Sequence, residues 1–228
     1  MSLLLNIDTA LTTAYVSIAK DGVVLQDAIN NDQKEHAAFV QPAIKRIMQK
    51  AGILLAEIDA VAVTIGPGSY TGLRVGLSSA KGLCYALNKP LIVINTLECM
   101  TMAAILQLQE TSLIEAKLFC PMIDARRMEV YTAIYDYSLN SLLTPCALLL
   151  EPTVYDKYLD KNSIVFFGDG SIKWKNNCTN YNADFQSVNI NSTAMSLLSF
   201  KKYISQDNCF TDTAYTEPLY IKAFYSGE

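Results

Sequence analysis

The segment that most suggests chemistry is glycine-rich, Gly66-Pro-Gly-Ser-Tyr-Thr-Gly-Leu-Arg-Val-Gly76, and it follows an apolar run. A P-loop would place a lysine directly after its last glycine, but Gly72 is followed by leucine. The dinucleotide-binding fingerprint would need a glycine at its sixth position, which here is Thr71. What remains is a strand, a tight turn and a helix N-terminus with Ser69 and Thr71 as caps. That geometry suits either a bound anion or a purely structural turn.

His36 is the single histidine of the chain. One histidine excludes sites that are built from paired histidines, such as the site of H-E-x-x-H proteases. No G-x-S-x-G elbow accompanies it to form a serine-type triad. His36 lies at the edge of the apolar stripe of a helix expected from about Asp32 to Ala51, so the pattern predicts a structural or an interface histidine.

The composition is that of a folded globular protein, with 51% hydrophobic and 18% charged residues in a chain of 228. A net charge of −4 and a pI of about 5.1 give no basic surface for nucleic acid. Six cysteines without a C-x-x-C pair indicate free thiols rather than disulfides or a zinc site: Cys84, Cys99, Cys120, Cys146, Cys178 and Cys209. The chain shows no signal sequence and no apolar run that could span a membrane, so we expect a cytoplasmic protein without membrane contact.

Alternating strands and helices must position these residues. The first half predicts strands at Leu3–Asp8, Thr12–Ala19, Val23–Ile29, Ile58–Ile65 and Leu91–Asn95, and helices at Asp32–Ala51, Tyr70–Leu87 and Thr96–Gln109. Asp21-Gly22 is a typical hairpin turn, and Pro42 is expected to kink the first helix or to mark its first turn. Three antiparallel strands followed by alternating helices and strands predict the α/β class with a mixed sheet.

The second half predicts three further strands, Leu118–Ile123, Glu129–Tyr135 and Ile164–Phe167, and a helix at Thr193–Ser205. The charged turn DARR, residues 124–127, joins the first two strands as a hairpin. The polar, asparagine-rich stretch 174–192 is predicted to be a surface loop. The element order predicts two α/β lobes, 1–105 and a smaller 106–228, and leaves open whether the last segment packs back on the first lobe.

Five segments together resemble one known family: the opening LLNIDTA, then KEHAAFVQPAI, GPGSYTGLRVGLSSAKGLCYAL and DARRMEVYTAIY, and EPLY near the end. They are similar to the TsaB (YeaZ) family of the actin-like ATPase superfamily, most densely over residues 1–105. Tyr70, Met128 and Lys222 stand where that family often has phenylalanine, glycine and arginine. The resemblance implies an actin-like (ASKHA, ribonuclease H-like) α/β fold with two lobes and mixed sheets.

The resemblance also implies a function. Members of that family are regarded as non-catalytic partners of TsaD, the catalytic subunit of the complex that adds a threonylcarbamoyl group to the adenosine next to the anticodon of tRNA. Direct binding of TsaD, a pathway shared with TsaE and TsaC, and contact with tRNA only through the complex are therefore implied. No cofactor and no metal are required of this chain, and a homodimer stays open. The catalytic relative holds a metal through two histidines on its first long helix, where this chain has His36 alone.

Asp8 bears on whether a nucleotide binds. Actin-like kinases grip phosphate with a strand-end aspartate followed closely by glycine, whereas Asp8 is followed by Thr9 and Ala10. Weak nucleotide or anion binding stays open, with Asp8, Gly66, Gly68, Ser69, Thr71 and Gly72 as its contacts. The alternative function is a small-molecule kinase or ATPase of the same fold, with phosphate and magnesium contacts from Asp8, Thr12, Ser69, Thr71 and Asp124. A metallopeptidase has only an older family label in its favour.

The helix predicted after the glycine segment has a face suited to the sheet and a neighbouring face of small residues. Small residues let another helix approach closely. The approaching helix is either the first helix of this chain or a partner that meets both helices together. In the second interpretation, the surface for TsaD or a second copy contains His36, Phe39, Gly72, Val75, Gly76 and Ser79.

Overall fold

The computed structural model describes residues 1–109, 114–205 and 210–222. Its residues cluster into two compact units: Met1–Cys99 with Asn191–Leu219, and Met100–Ile190 with the described residues from Tyr220 onward. The helices of the described chain are α1 (His36–Ala51), α2 (Tyr70–Leu87), α3 (Thr96–Leu108), α4 (Asp156–Leu159), α5 (Ser171–Lys175) and α6 (Ser192–Ser205). Separate domains divided at 105/106 stay a prediction.

The first unit is built on a mixed sheet. Its strands are β1 (Leu3–Asp8), β2 (Ala14–Lys20), β3 (Val23–Asn30), β4 (Ala60–Gly66), β5 (Leu91–Asn95) and, after the second unit's strands, β11 (Phe210–Thr211). Among the described residues the order is β11-β5-β4-β1-β2-β3, with β4 and β5 parallel to β1 and the other pairs antiparallel. Because β1 and β4 are parallel neighbours, Asp8 and Gly66 at their carboxyl ends meet at the same edge of the sheet.

Helices α1 and α2 cover this sheet together. α1 packs on β2 and β3, α2 packs on β4, and the two helices contact each other. The buried contacts are apolar: Val40, Ile44 and Ile47 from α1, with Leu77 and Ala80 from α2. Pro42 lies inside α1 rather than in its first turn. The helix predicted from Asp32 begins as a short 3-10 turn, Gln33–Glu35, and becomes α-helical only at His36.

Helix α6 packs on the sheet through a buried polar seam. Asn6, which is 1% exposed, donates from Nδ2 to Ser196 Oγ at 3.1 Å. Ser199 Oγ in turn donates to Asn6 Oδ1 at 2.6 Å. Since a buried amide needs partners at both ends, these contacts fix the register of α6 on β1.

The second unit contains strands β6 (Leu118–Asp124), β7 (Glu129–Tyr135), β8 (Ser141–Leu149), β9 (Ile164–Phe167) and β10 (Ala183–Phe185). The described strands form one mixed sheet in the order β10-β9-β6-β7-β8. β6, β7 and β8 are antiparallel neighbours, while β9 is parallel to β6 and β10 is parallel to β9. An aromatic group anchors the core of this unit: the Tyr155 ring lies 4.8 Å from the ring of Trp174 and 5.2 Å from that of Phe166.

The predicted α/β class with mixed sheets is confirmed, and β1, β5, β7, β9 and α2 have the predicted bounds. The pattern does not predict β8, which lies at the end of the described sheet and is mostly half-exposed on both faces. The stretch 174–192, predicted to be a loop, contains the end of α5 and the strand β10. No helix within 1–109, 114–205 and 210–222 has the length and apolar character needed to cross a membrane.

Candidate functional site

The glycine segment forms the turn between β4 and α2, as predicted. Ser69 is the N-cap of α2, and its Oγ accepts a hydrogen bond from the backbone N–H of Gly72 at 3.3 Å. Gly66 has a φ of 121°, a conformation that side-chain-bearing residues rarely adopt. A capping serine and a glycine conformation therefore contribute to the shape of this turn.

The same segment is fastened to the turn that follows β1. The N–H of Ser69 donates to Ala10 O at 2.7 Å, and Thr9 Oγ1 donates to Gly72 O at 2.7 Å. A Cβ added at Gly68 would lie 2.3 Å from Ala10 O, and one added at Gly72 would lie 2.0 Å from Thr9 O. The absence of side chains here allows close approach of the chain's own backbone. Sequence reasoning missed Thr9, because its contact is made across more than sixty residues.

The residues predicted to contact an anion lie together at this edge of the sheet. They are Asp8, at the end of β1, and Gly66, Gly68, Ser69, Thr71 and Gly72, at the end of β4 and the start of α2. Thr71 is exposed, whereas Gly66 and Gly72 are buried. Two backbone N–H groups of this segment, those of Ser69 and Gly72, already donate within the chain. Nucleotide or anion contact by this set stays a prediction.

Asp8 is buried beside the glycine segment, with 3% of its surface exposed. Its Oδ1 accepts from Thr64 Oγ1 at 2.8 Å and from the N–H of Ala10 at 3.1 Å. Burial raises the pKa of Asp8 above its ordinary value, and the hydrogen bonds from Ala10 and Thr64 offset part of that rise. A buried carboxylate would repel a bound phosphate unless a cation lay between them, so Asp8 suits the structural interpretation of the turn.

The other residues of the kinase alternative are spread over both units. Thr12 is exposed in the turn after β1. Asp124 lies at the end of β6 in the second unit, where Lys173 Nζ contacts its Oδ1 at 2.5 Å. Of that set, Asp8, Ser69 and Thr71 lie at the same edge of the first unit's sheet.

His36, at the start of α1, is buried and fully engaged. It is 2% exposed, its Nε2 lies 3.0 Å from Leu11 O, and its Nδ1 lies 3.1 Å from Asn30 Nδ2. Because a carbonyl oxygen only accepts and an amide nitrogen only donates, the Nε2–H tautomer satisfies both contacts. The ring ties the first turn of α1 to the β1–β2 turn and to the end of β3, which is the structural role open from the sequence.

The six residues predicted to form a partner interface occupy two environments. Gly72 and Gly76 face the interior, and a Cβ added at Gly76 would lie 2.4 Å from Thr9 Oγ1. At these two positions the small face of α2 is covered by the β1–β2 turn and by the sheet, while α1 contacts α2 elsewhere. Phe39 on α1 and Val75 on α2 are half-buried and pack on the shared core, and Ser79 is half-buried. These three are the residues of the set that have side-chain surface to offer a partner, and the interface stays a prediction.

The C-terminal segment reaches the same edge of the sheet. The N–H of Leu219 donates to Ile65 O at 2.7 Å, next to the glycine turn. Lys81 on α2 donates from Nζ to the carbonyl oxygens of Ala214 and Thr216 at 3.1 and 3.2 Å. Residues 212–219, which we call the C-terminal strap, are therefore held on α2 and β4. The sequence gives no signal for these contacts, because lysine-to-carbonyl bonds follow no pattern.

Within the described part of the chain, no group of at least three histidine, cysteine, aspartate or glutamate side chains is placed to hold a metal ion. Three of the described cysteines, Cys84, Cys99 and Cys120, are buried, and burial raises the pKa of their thiols.

The chain is similar to proteins that are named for tRNA threonylcarbamoyladenosine biosynthesis or threonylcarbamoyl transfer to tRNA. The family model "TsaD: tRNA N6-adenosine threonylcarbamoyltransferase" matches residues 22–216. Two curated relatives, both named tRNA threonylcarbamoyladenosine biosynthesis protein TsaB, are 32% identical over 140 residues (Bacillus subtilis) and 34% identical over 139 residues (Escherichia coli). Each alignment covers 61% of this chain and 57% of the relative, so the match spans little more than half the length of these proteins.

A solved structure shows the same fold. It is a Pseudomonas aeruginosa protein described as similar to peptidase YEAZ, which superposes with a TM-score of 0.81 and 23% identity over 97% of this chain and 100% of that one. At that identity the likeness concerns the fold alone.

Proposed function

This chain belongs to the family of TsaD, tRNA N6-adenosine threonylcarbamoyltransferase, and from that premise we propose that it is a non-catalytic partner subunit in tRNA threonylcarbamoyladenosine biosynthesis. In this proposal it binds TsaD directly and raises its activity. TsaE and TsaC act in the same pathway, and tRNA meets the chain only within the complex. The names of its curated relatives support the pathway.

The observation that carries the non-catalytic role is the packing of the glycine segment. The backbone carbonyl oxygens of Ala10 and Thr9 lie so close to Gly68 and Gly72 that neither position has room for a side chain. A phosphate loop instead directs its open backbone at the ligand. In this chain the segment serves as a rigid turn that fixes the start of α2.

The proposed partner surface follows from what that turn positions. α1 and α2 contact each other and hold Phe39 and Val75 half-buried beside Ser79. Half-buried apolar side chains on two rigid helices are a typical centre for a protein interface, since they lose further apolar surface to water when the partner binds. We assign TsaD to this surface, and a second copy of the chain is the competing occupant.

Reconstitution tests the function. TsaD, TsaE and TsaC would be combined with an unmodified tRNA that carries adenosine next to its anticodon, and threonylcarbamoyl transfer would be measured with and without this chain. We expect transfer to require the chain and the chain alone to transfer nothing. Equal transfer in its absence would refute the proposed function.

A further inference from the structure

The hairpin turn between β6 and β7 carries two exposed arginines in an unusual conformation. Arg126 and Arg127 have φ values of 67° and 49°, in the left-handed region that favours glycine and asparagine. Two consecutive arginines in that region are unfavourable for the turn itself. Glycine or asparagine would form the same turn more easily, so the backbone conformation gives no reason for arginine at either position.

The backbone of this turn is held firmly. Ala125 N–H donates to Glu129 O at 3.1 Å, Glu129 N–H donates to Arg126 O at 3.1 Å, and Arg126 N–H donates to Asp124 Oδ1 at 2.6 Å. Lys173 reaches in from α5 and donates from Nζ to Arg127 O at 2.7 Å. The two guanidinium groups therefore extend from a fixed base, which reduces the entropy lost when they bind a ligand.

Two of the neighbouring carboxylates, Asp124 and Glu129, are paired with lysines, and a third, Asp169, accepts a hydrogen bond from the N–H of Asp124 at 2.9 Å. Asp124 contacts Lys173 Nζ at 2.5 Å, and Glu129 pairs with Lys222. Over residues 1–109, 114–205 and 210–222, no salt bridge engages Arg126 or Arg127. Lys173 and, less strongly, Arg126 lower the pKa of Asp124. The direct ion pairs of Asp124 and Glu129 are made by lysines, and both exposed arginines present positive charge to solvent.

We propose that Arg126 and Arg127 bind phosphate groups of the RNA backbone, an inference that rests on the proposed role in tRNA modification. Arginine presents a planar set of donors that fits phosphate oxygens in pairs, and phosphate contacts position RNA without reading its sequence. The chain as a whole carries a net charge of −4, so its attraction for RNA has to be local. The β6–β7 turn, with Arg126 and Arg127, supplies such a local site.

The test replaces both arginines by asparagine, Arg126→Asn with Arg127→Asn, which keeps the left-handed turn and removes both charges. The matched control is Lys161→Asn with Lys175→Asn, which removes two exposed charges from the same unit. Binding of an unmodified tRNA transcript to the assembled complex with TsaD would be measured over a range of salt concentrations. Assembly with TsaD, binding of ATP and the melting temperature would be measured in parallel.

We expect the arginine variant to bind tRNA several-fold more weakly than the control. The number of counterions released on binding, read from the dependence of affinity on salt concentration, should be lower by about one to two. Melting temperature, assembly and ATP binding should match those of the control. Unchanged tRNA binding and salt dependence would overturn the inference. Loss of assembly instead would show that the turn contacts a protein, and loss of ATP binding would show a nucleotide phosphate; either result also overturns it. If the wild-type chain fails to assemble with TsaD, the proposed function fails, independently of the arginines.

Discussion

Gly72 is where the structural interpretation of the glycine segment can be tested most simply. A Cβ at this position would meet Thr9 O at 2.0 Å, and backbone cannot move aside cheaply. Gly72→Ala should therefore lower the free energy of unfolding by at least about 2 kcal/mol, as overpacked sites do. Urea unfolding of the isolated protein measures this change.

Gly82 in the same helix is the matched control, since nothing lies within 4 Å of an added Cβ there. Gly82→Ala should stabilise the protein by up to about 1 kcal/mol through helix propensity. Equal effects of the two substitutions would contradict close backbone approach at Gly72.

Asp8 makes stability depend on pH. Burial raises its folded-state pKa above the ordinary value of 3.8, so the folded protein holds this proton more strongly than the unfolded chain does. The stability gained from it is greatest below pH 3.8 and is lost as pH rises through the folded-state pKa. Asp8→Asn keeps an oxygen that accepts from Thr64 and Ala10 but removes the charge.

We therefore expect the Asn variant to melt above wild type at neutral pH, with the difference shrinking as pH falls. Thermal unfolding at several pH values checks this. A wild-type protein that is the more stable one at neutral pH would mean that a cation or partner stabilises the charge. ATP hydrolysis that disappears in the Asn variant would favour the kinase or ATPase alternative.

The C-terminal strap depends on one side chain of α2. Lys81 holds two of its carbonyl oxygens, while the backbone bond from Leu219 to Ile65 fixes its end. Lys81→Met should speed proteolytic cleavage within residues 212–219 with little change in the global unfolding midpoint, because local opening needs only these contacts to break. Lys50→Met, at an exposed position of α1, is the control and should leave cleavage unchanged. Unchanged cleavage of the strap in the Lys81 variant would contradict this anchoring role.

The elements differ in how far the sequence predicts them, for physical reasons. The bounds of α2 follow from local signals, an N-cap serine and a terminal asparagine in the left-handed conformation at φ 52°. The strand β8 lacks such signals, because its residues are half-exposed on both faces and show no alternation. The cover over Gly72 and Gly76 comes from Thr9, far away in the sequence, so helix periodicity alone could not show which element approaches them.

For the molecule as a whole, the resemblance to the TsaB (YeaZ) family is confirmed by curated relatives of that name, and the fold matches that of the Pseudomonas aeruginosa structure. The actin-like fold class is confirmed with it. The anion site and the partner surface stay predictions, because both depend on molecules that meet the chain from outside. Single-residue patterns carry little information about such contacts, as the buried His36 illustrates.

The most direct test of a TsaD-binding role measures the affinity of the isolated chain for TsaD. Val75→Glu places a charge in the proposed surface, and the control Val23→Glu makes the same change on β3, where the valine is 67% exposed. We expect wild type and the Val23 variant to bind equally, and the Val75 variant to bind at least about tenfold more weakly, a loss of about 1.4 kcal/mol. Val75 is only half-buried, so the variant should stay folded, with a stability loss near 1 kcal/mol. A wild-type chain that forms no complex with TsaD, or a folded Val75 variant that binds as wild type does, would contradict the account.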